Sequence, residues 1–284
     1  RTPQFWLLWG VLMLNVSAGI GVIGMASPML QEVFGGKLID VPGSLGQLND
    51  VQRTAVATVA AGFAGLLSLF NILGRICWAS LSDYIGRKIS YCTFFGLGII
   101  LYATAPFAGS IGNVALFVGI FCFILTMYGG GYATIPAYLA DMFGTRFVGA
   151  IHGRLLTAWS TAGILGPVLV NYIREFQIAS GVPKAQAYNT TLYILAGLLV
   201  FGFLCNLAVR PVKEKYYMPE EELEKERQLA HENSRVKTSR DAPPPAWHPD
   251  PSSWTLVSVS WVLIGIPLSW GIWQTLKSAA KLFA

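Results

Sequence analysis

The sequence predicts an all-α protein that crosses a membrane several times. Of its 284 residues, 54% are hydrophobic and only 12% are charged, whereas a soluble domain has about 25% charged residues because its surface faces water. Seven apolar segments are each long enough to cross about 30 Å of hydrocarbon as a helix. None of the seven contains an aspartate or a glutamate, as expected of segments that lie in lipid rather than in a soluble core.

The apolar segments are predicted to be helices because only a helix satisfies its own backbone hydrogen bonds in lipid. No segment alternates polar and apolar residues as a barrel strand does. The predicted spans are 5–30, 54–81, 89–108, 114–139, 148–173, 191–209 and 254–273.

Three regions follow from these spans: a six-helix bundle in 1–210, a hydrophilic linker in 211–252, and an additional membrane helix in 253–284. Within the linker, Pro219 is placed to begin a short helix with acidic residues Glu220 to Glu222 in its first turn, where they suit the helix dipole. The alternative for the linker is a solvated spacer.

The distribution of basic residues predicts the orientation of the spans. Arg87 and Lys88 lie between the second and third spans, Arg146 lies between the fourth and fifth, and a basic linker follows the sixth. Because Lys and Arg concentrate in cytoplasmic connectors, the first span begins in the cytoplasm and the linker is cytoplasmic. We expect a multi-pass protein of the cell membrane. The pI of 9.0 does not indicate nucleic-acid binding, since the basic residues form no single basic face.

Cysteine and histidine usage predicts neither a metal site nor a cofactor site. The four cysteines are far apart in apolar stretches, so we expect them to be reduced and buried as small apolar side chains. There are only three histidines, and none shares a span with an acid. An enzyme, which needs titratable groups around one site, is therefore excluded.

Two spans are interrupted by glycine and proline, and they are the first of each group of three if the six spans form two such groups. Paired interruptions of this kind mark substrate sites in transporters, where a helix can bend and expose its backbone. The alternative is tight helix packing through small residues. The predicted hinge residues are Gly19, Gly21 and Pro28 in the first span, and Gly129, Gly130, Gly131 and Pro136 in the fourth.

Arg75 is the most informative single residue. It lies inside the second span, roughly two turns before Asp83, and no acid within any span is present to pair with it. A buried cation without a protein partner favours an anionic ligand, although a side chain that reaches back to the membrane surface is the alternative. His152 and Arg154, near the start of the fifth span, are expected at the interface or in a gate rather than as ligands.

The connector between the second and third spans reads Asp83-Tyr-Ile-Gly86-Arg87-Lys88. This D-x-x-G-R-K spacing resembles the signature of the major facilitator superfamily. Ala79 stands where that family usually has glycine, a change that tightens the helix contact there.

Two further stretches resemble one family within this superfamily, the oxalate/formate antiporters. They are the run from Tyr128 to Pro167 and the first span, with Asn15 and Ala18-Gly19-Ile20. The resemblance covers about 5–210 and implies helices seven to twelve of that family, so the six-helix N-terminal half would be missing from this chain. The stretch 247–284 resembles a one-span small subunit found with some relatives.

The resemblance implies a secondary transporter of a small organic anion that works by alternating access. Arg75 matches a basic position in the family's eighth helix that holds a carboxylate. The basic residue of the eleventh helix has no counterpart, because Trp159 stands at about that place. One cation suits a monoanion, so a monocarboxylate is favoured over oxalate. With no acid in any span, exchange or facilitated flux is favoured over proton symport.

The predicted partners are therefore a small carboxylate, the lipid bilayer and the missing half. A non-transporting membrane sensor or assembly subunit on the same helical scaffold is the alternative function. Besides Arg75, the predicted substrate-binding residues are Asn15, Tyr128, Tyr132 and Trp159, and the predicted latch or gate residues are Asp83, Gly86, Arg87, Lys88, Asp141, His152 and Arg154.

Overall fold

The structure is a computed structural model that describes residues 2–213, 216, 222, 224–225, 227–229, 232 and 251–280. Its regular secondary structure is entirely helical within those residues, which confirms the all-α prediction. The seven long helices are α1 (Pro3–Phe34), α2 (Asp50–Ile85), α3 (Arg87–Ser110), α4 (Val114–Phe143), α5 (Val148–Ala179), α6 (Asn189–Ala208) and α7 (Pro251–Ala280).

Each predicted span is a helix in the structure. In the part of the chain that is described, α1 to α6 are long and apolar enough to cross a membrane. That α7 also crosses stays a prediction.

The chain divides into two compact units, of which the larger contains α1 to α6. In the linker, Glu222, Glu224, Lys225, Glu232 and residues 227–229 are helical, whereas Pro219, Glu220 and Glu221 lie outside the described residues.

Most of the helices extend beyond the predicted spans because local capping, not hydrocarbon thickness, determines where they end. At the start of α2, Asn49 accepts a hydrogen bond from the Gln52 backbone, and the Gln52 side chain accepts one from Asn49 in return. Glycines with positive φ end two helices, Gly86 (φ +89°) after α2 and Gly144 (φ +78°) after α4. α1 continues to Phe34 and therefore includes Glu32, beyond the predicted span.

The helices of the bundle pack in pairs, α1 with α5, α2 with α4 and α3 with α6. If α1, α2 and α3 correspond to α4, α5 and α6, the α1–α5 pair corresponds to the α4–α2 pair. The α3–α6 pair then corresponds to itself. The packing therefore has the symmetry expected of two groups of three helices.

The core of the bundle lies along α1 and α4, which have the largest buried fraction of the six helices. Two buried tyrosines of α3 join α3 to these helices. The Tyr102 hydroxyl donates to the Ala18 carbonyl at 2.9 Å, and the Tyr91 hydroxyl donates to the Gly131 carbonyl at 2.5 Å.

Among the cysteines, Cys122 is buried as expected, but the prediction of burial is wrong for Cys77, which is exposed because it lies on the outer face of α2.

Candidate functional site

Arg75 projects from α2 where this helix crosses α4 most closely. The preceding residue, Gly74, lies so near the backbone of Thr126 that a methyl group there would overlap it. The Arg75 guanidinium carbon is 5.1 Å from the centre of the Tyr132 ring in α4, a cation–π distance. Among the described residues, Arg75 forms no ion pair and its side chain donates no hydrogen bond. Its guanidinium face is therefore occupied while its N–H donors are unused. The expectation of a buried cation is wrong for this half alone, because Arg75 is exposed on the same open face of α2 as Ile72 and Ile76.

Two aromatic side chains continue the surface beside Tyr132. The ring of Trp159, from α5, meets the Tyr132 ring edge-on with centroids 4.7 Å apart, and the Tyr128 ring is 5.8 Å from Trp159. Tyr128 is buried, whereas Tyr132 and Trp159 are half-buried. Three helices thus contribute to one cluster of a cation and three aromatic rings.

Asn15 of α1 reaches the same cluster through Tyr128. Its side chain is 6% exposed, and its amide oxygen has no hydrogen-bond partner within the described part of the chain. Asn15, Gly19, Tyr102 and Tyr128 line a cavity of about 20 Å³, which has room for one water-sized group. The structure therefore brings all five predicted substrate-binding residues together, and their role in binding stays a prediction.

Asn71, one turn before Arg75 on α2, is a polar neighbour that the sequence analysis missed. Its amide oxygen is buried without a hydrogen-bond partner among the described residues, and it faces Gly129 of α4. A polar residue four positions from a cation inside an apolar span was the available signal, since such residues share a helix face.

The five predicted hinge glycines are all sites of close packing in this conformation. A methyl group on any of them would overlap a neighbour: Tyr128 at Gly19, Val170 at Gly21, Asn71 at Gly129, Trp78 at Gly130 and Asn15 at Gly131. The alternative of tight packing through small residues accounts for these contacts.

The two predicted hinge prolines lie on exposed faces of helices that run without a break. Pro28 is inside α1 and Pro136 is inside α4. Each lacks the N–H that would bond to the carbonyl four residues earlier, which belongs to Gly24 in α1 and to Tyr132 in α4. Bending at these points stays a prediction.

Arg87 holds the ends of two helices together at the predicted latch. It pairs with Asp83 of α2 and with Asp141 of α4, the latter at 3.7 Å from Nε to Oδ2. The Arg87 side chain is only 15% exposed, whereas both acids are 63% exposed. Gly86 supplies the left-handed turn that brings Arg87 back towards Asp83.

Lys88 acts as a cap for α6. Its ammonium donates to the carbonyls of Leu207 at 3.0 Å and Val209 at 2.7 Å, at a helix end where carbonyls lack partners in the helix. In return, the Asn206 side chain donates to the Lys88 carbonyl at 2.9 Å.

His152 and Arg154 do not join this latch through any hydrogen bond or ion pair of the described residues. His152 is half-buried, and its Nδ1 has no partner there. Arg154 is exposed and lines an open cavity of about 660 Å³ where α1 and α5 begin.

At the opposite end of the bundle, Glu32, Arg174 and Tyr188 form a cluster that the sequence analysis missed. Glu32 and Arg174 are paired, with side chains only 11% and 13% exposed. The Tyr188 hydroxyl donates to Glu32 Oε2 at 2.8 Å and accepts from Arg174 Nε at 2.9 Å. The signal was the placement of Glu32 and Arg174 just beyond the first and fifth apolar runs.

The family model described as Major Facilitator Superfamily matches residues 8–282. The chain belongs to the major facilitator superfamily. This assignment agrees with the six apolar helices and makes the protein a multi-pass membrane protein of a transporter family, not an enzyme.

Three curated relatives are similar to this major facilitator protein. The oxalate:formate antiporter of Oxalobacter formigenes is 27% identical over 227 residues, which are 78% of this chain and 47% of the relative. The uncharacterised transporter YhjX of Escherichia coli K12 is 24% identical over 58% of this chain and 36% of its own length. The transporter acdC of Aspergillus candidus is 30% identical over 43% of this chain and 24% of its own. The chain therefore spans about half the length of the first of these relatives and less of the other two.

Proposed function

We propose that this chain is the C-terminal half of a secondary carrier that moves a small organic anion, with Arg75 as the residue that holds the carboxylate. The position of the guanidinium carries the proposal. Its face rests on Tyr132, so its in-plane N–H groups are available for a bidentate contact with a carboxylate, the geometry that arginine favours. This stacking also argues against a side chain that reaches back to the membrane surface.

The charge of the site supports a monocarboxylate as substrate. In the described residues of α1 to α6, Arg75 is the basic residue that lies away from the helix ends, about 12 Å along α2 from Asp83. Arg174 already has Glu32 as its partner. Arg75 is the unpaired cation beside the three aromatic rings, whereas Arg154 points away from Trp159 around α5. One unpaired cation at this site balances one carboxylate, and the likeness to a relative named as an oxalate:formate antiporter supports a small carboxylate.

Alternating access would require a second six-helix half opposite the site. The exposed faces of α2 and α5 carry large apolar side chains such as Ile72, Ile76, Ile164 and Val168, which suit contact with other helices or lipid. The cluster of Arg87 with Asp83 and Asp141 would serve as the cytoplasmic latch, with the linker on the same side of the cell membrane. Exchange or facilitated flux is favoured over proton symport, because every acid described in α1 to α6 is paired with an arginine.

Uptake of labelled formate, lactate and oxalate into proteoliposomes that contain the full-length protein tests the proposal. We expect Arg75→Gln to lower uptake of the transported anion about 30-fold or more, the effect of removing the charged partner of a bound carboxylate. Lys184→Gln is the matched control, because Lys184 is an exposed cation at the other end of the bundle. Uptake that Arg75→Gln leaves unchanged, in protein shown to be folded, would refute the role of Arg75. No uptake of any organic anion by the unmodified protein would favour a sensor.

A further inference from the structure

A large open cavity lies at the end of the bundle where α1 begins, apart from the carboxylate site. Its volume is about 660 Å³. Most of its wall is apolar and comes from three helices, with Phe5 and Trp6 of α1, Phe143 of α4 and Ile151 of α5; Arg154 and Thr157 of α5 are polar. The size is within the range of about 300–1,000 Å³ that is usual for ligand pockets.

The polar part of this wall is joined by hydrogen bonds, and its charged group has no partner. The Thr157 hydroxyl accepts a hydrogen bond from Trp9 Nε1 at 2.9 Å and donates to the Arg154 carbonyl at 2.8 Å. The Arg154 side chain is exposed and, among the residues that the structure describes, has neither an ion-pair partner nor a hydrogen-bond acceptor. An apolar cavity with one unpartnered cation suits an amphiphile that has an apolar tail and an anionic head.

The charges around the cavity indicate an anionic partner at this end. In the described residues 2–211, this end of the bundle carries five basic side chains (Arg87, Lys88, Arg146, Arg154 and Arg210) and two acids (Asp83 and Asp141), and both acids pair with Arg87. The opposite end carries four basic and four acidic residues: Lys37, Arg53, Arg174 and Lys184, with Glu32, Asp40, Asp50 and Glu175. Anionic lipid headgroups concentrate in the cytoplasmic leaflet and bind basic pockets between membrane helices.

We propose that this cavity binds an anionic phospholipid of the adjacent leaflet. The acyl chain lies against Phe5, Trp6, Phe143 and Ile151, and the phosphate is held by Arg154. A small soluble anion would make no use of the apolar wall. A zwitterionic lipid offers the same phosphate, but its own ammonium group already offsets that charge and is repelled by the guanidinium, so an anionic lipid gains more. The site is distinct from the carboxylate site, because Arg154 and Trp159 are five residues apart and point about 140° away from each other around α5.

Native mass spectrometry of the full-length protein, released from nanodiscs that contain phosphatidylglycerol and phosphatidylcholine with matched acyl chains, tests this proposal. We expect the unmodified protein to retain phosphatidylglycerol in preference, and Arg154→Gln to reduce that preference about fivefold, the effect of one basic residue near a headgroup. Lys184→Gln should leave the preference unchanged. Ile151→Trp, which narrows the cavity without changing its charge, should reduce the retention of both lipids.

Equal effects of Arg154→Gln and Lys184→Gln on the preference would overturn the proposal, because the lipid would then respond only to net charge. Equal retention of the two lipids by the unmodified protein would overturn it too. If no lipid is retained, or if Ile151→Trp changes nothing, another part of the protein occupies the cavity and the proposal is wrong. Size-exclusion profiles and unfolding midpoints of all variants ensure that only folded proteins are compared.

Discussion

Glu32 and Arg174 form a largely buried ion pair that joins α1 to α5 at the end of the bundle opposite the latch. Both oxygens of the Glu32 carboxylate accept hydrogen bonds from the Arg174 guanidinium, and the Tyr188 hydroxyl donates a third. Arg174 also pairs with Glu175, whose side chain is 67% exposed. One arginine thus has two acidic partners in very different surroundings.

The first prediction is that Glu32→Gln destabilises the protein far more than Glu175→Gln. After Glu32→Gln, the largely buried Arg174 guanidinium keeps only the exposed Glu175 as a charged partner, and we expect a loss of about 3 kcal/mol in the free energy of unfolding. Glu175→Gln removes an exposed partner of the same arginine and should change this free energy by no more than about 0.5 kcal/mol. Unfolding by dodecyl sulfate titration in mixed micelles measures both.

The double variant Glu32→Gln/Arg174→Gln should recover much of the stability, because it leaves no buried charge unpaired; Glu175 loses its partner but is exposed. Equal destabilisation by the two single variants would show that burial of the pair makes no difference.

The second prediction concerns the close approach of α2 to α4. Gly129→Ala places a methyl group against the Asn71 backbone carbonyl, and we expect a loss of about 1–3 kcal/mol because the helices must separate. Gly119→Ala in the same helix meets nothing within 4 Å and should be neutral or stabilising, since alanine favours a helix. If both changes have the same effect on the unfolding midpoint, the contact at Gly129 contributes nothing.

The third prediction separates the ring of Tyr132 from its hydroxyl. Tyr132→Leu removes the π-face under Arg75, and we expect KM for the transported anion to rise about fivefold, as the loss of one cation–π contact implies. Tyr132→Phe keeps the face and should stay within about twofold of the unmodified protein. Initial uptake rates at increasing substrate concentration give both values. Should the phenylalanine variant be as impaired as the leucine variant, the hydroxyl and not the ring positions Arg75.

The fourth prediction is that Lys88→Met loosens the last turn of α6. The change leaves the carbonyls of Leu207 and Val209 without the ammonium that they accept from, and we expect a loss of about 2 kcal/mol, as for a hydrogen bond to a charged group. Hydrogen exchange in peptides that cover residues 200–210 should become faster. Lys184→Met, which removes an exposed lysine from the other end, should leave this exchange as it was; the same acceleration in both would contradict the capping role.

The sequence was sufficient to predict the spans but not their ends. Twenty or so apolar residues define a crossing segment whatever the neighbouring helices do. The ends depend on backbone geometry at particular residues, such as the positive φ of Gly86 and Gly144. These backbone conformations are a property of the folded connectors, and apolar length alone does not predict them.

Functional residues were predictable where the residue type is unusual for its own span. They were missed where the role of a residue depends on a partner far along the chain. Arg75 and Asn15 are polar residues in apolar helices, so each is conspicuous alone. Glu32 and Arg174 are 142 positions apart, and each looks like an ordinary charge at a helix end until the two are seen to meet. The hinge glycines have a similar explanation, since a glycine that bends and a glycine that packs closely look the same in the sequence.

Only one residue, Gly86, separates the end of α2 from the start of α3. Gly86 both ends α2 and precedes Arg87, the first residue of α3, so there is no slack to absorb a change in length. Adding one residue there would rotate α3 by about 100° about its axis and would carry Tyr91 and Phe94, both fully enclosed, towards the outside. Epitope tags, reporter domains and engineered cleavage sites therefore belong in the longer connector between α1 and α2, never at this corner.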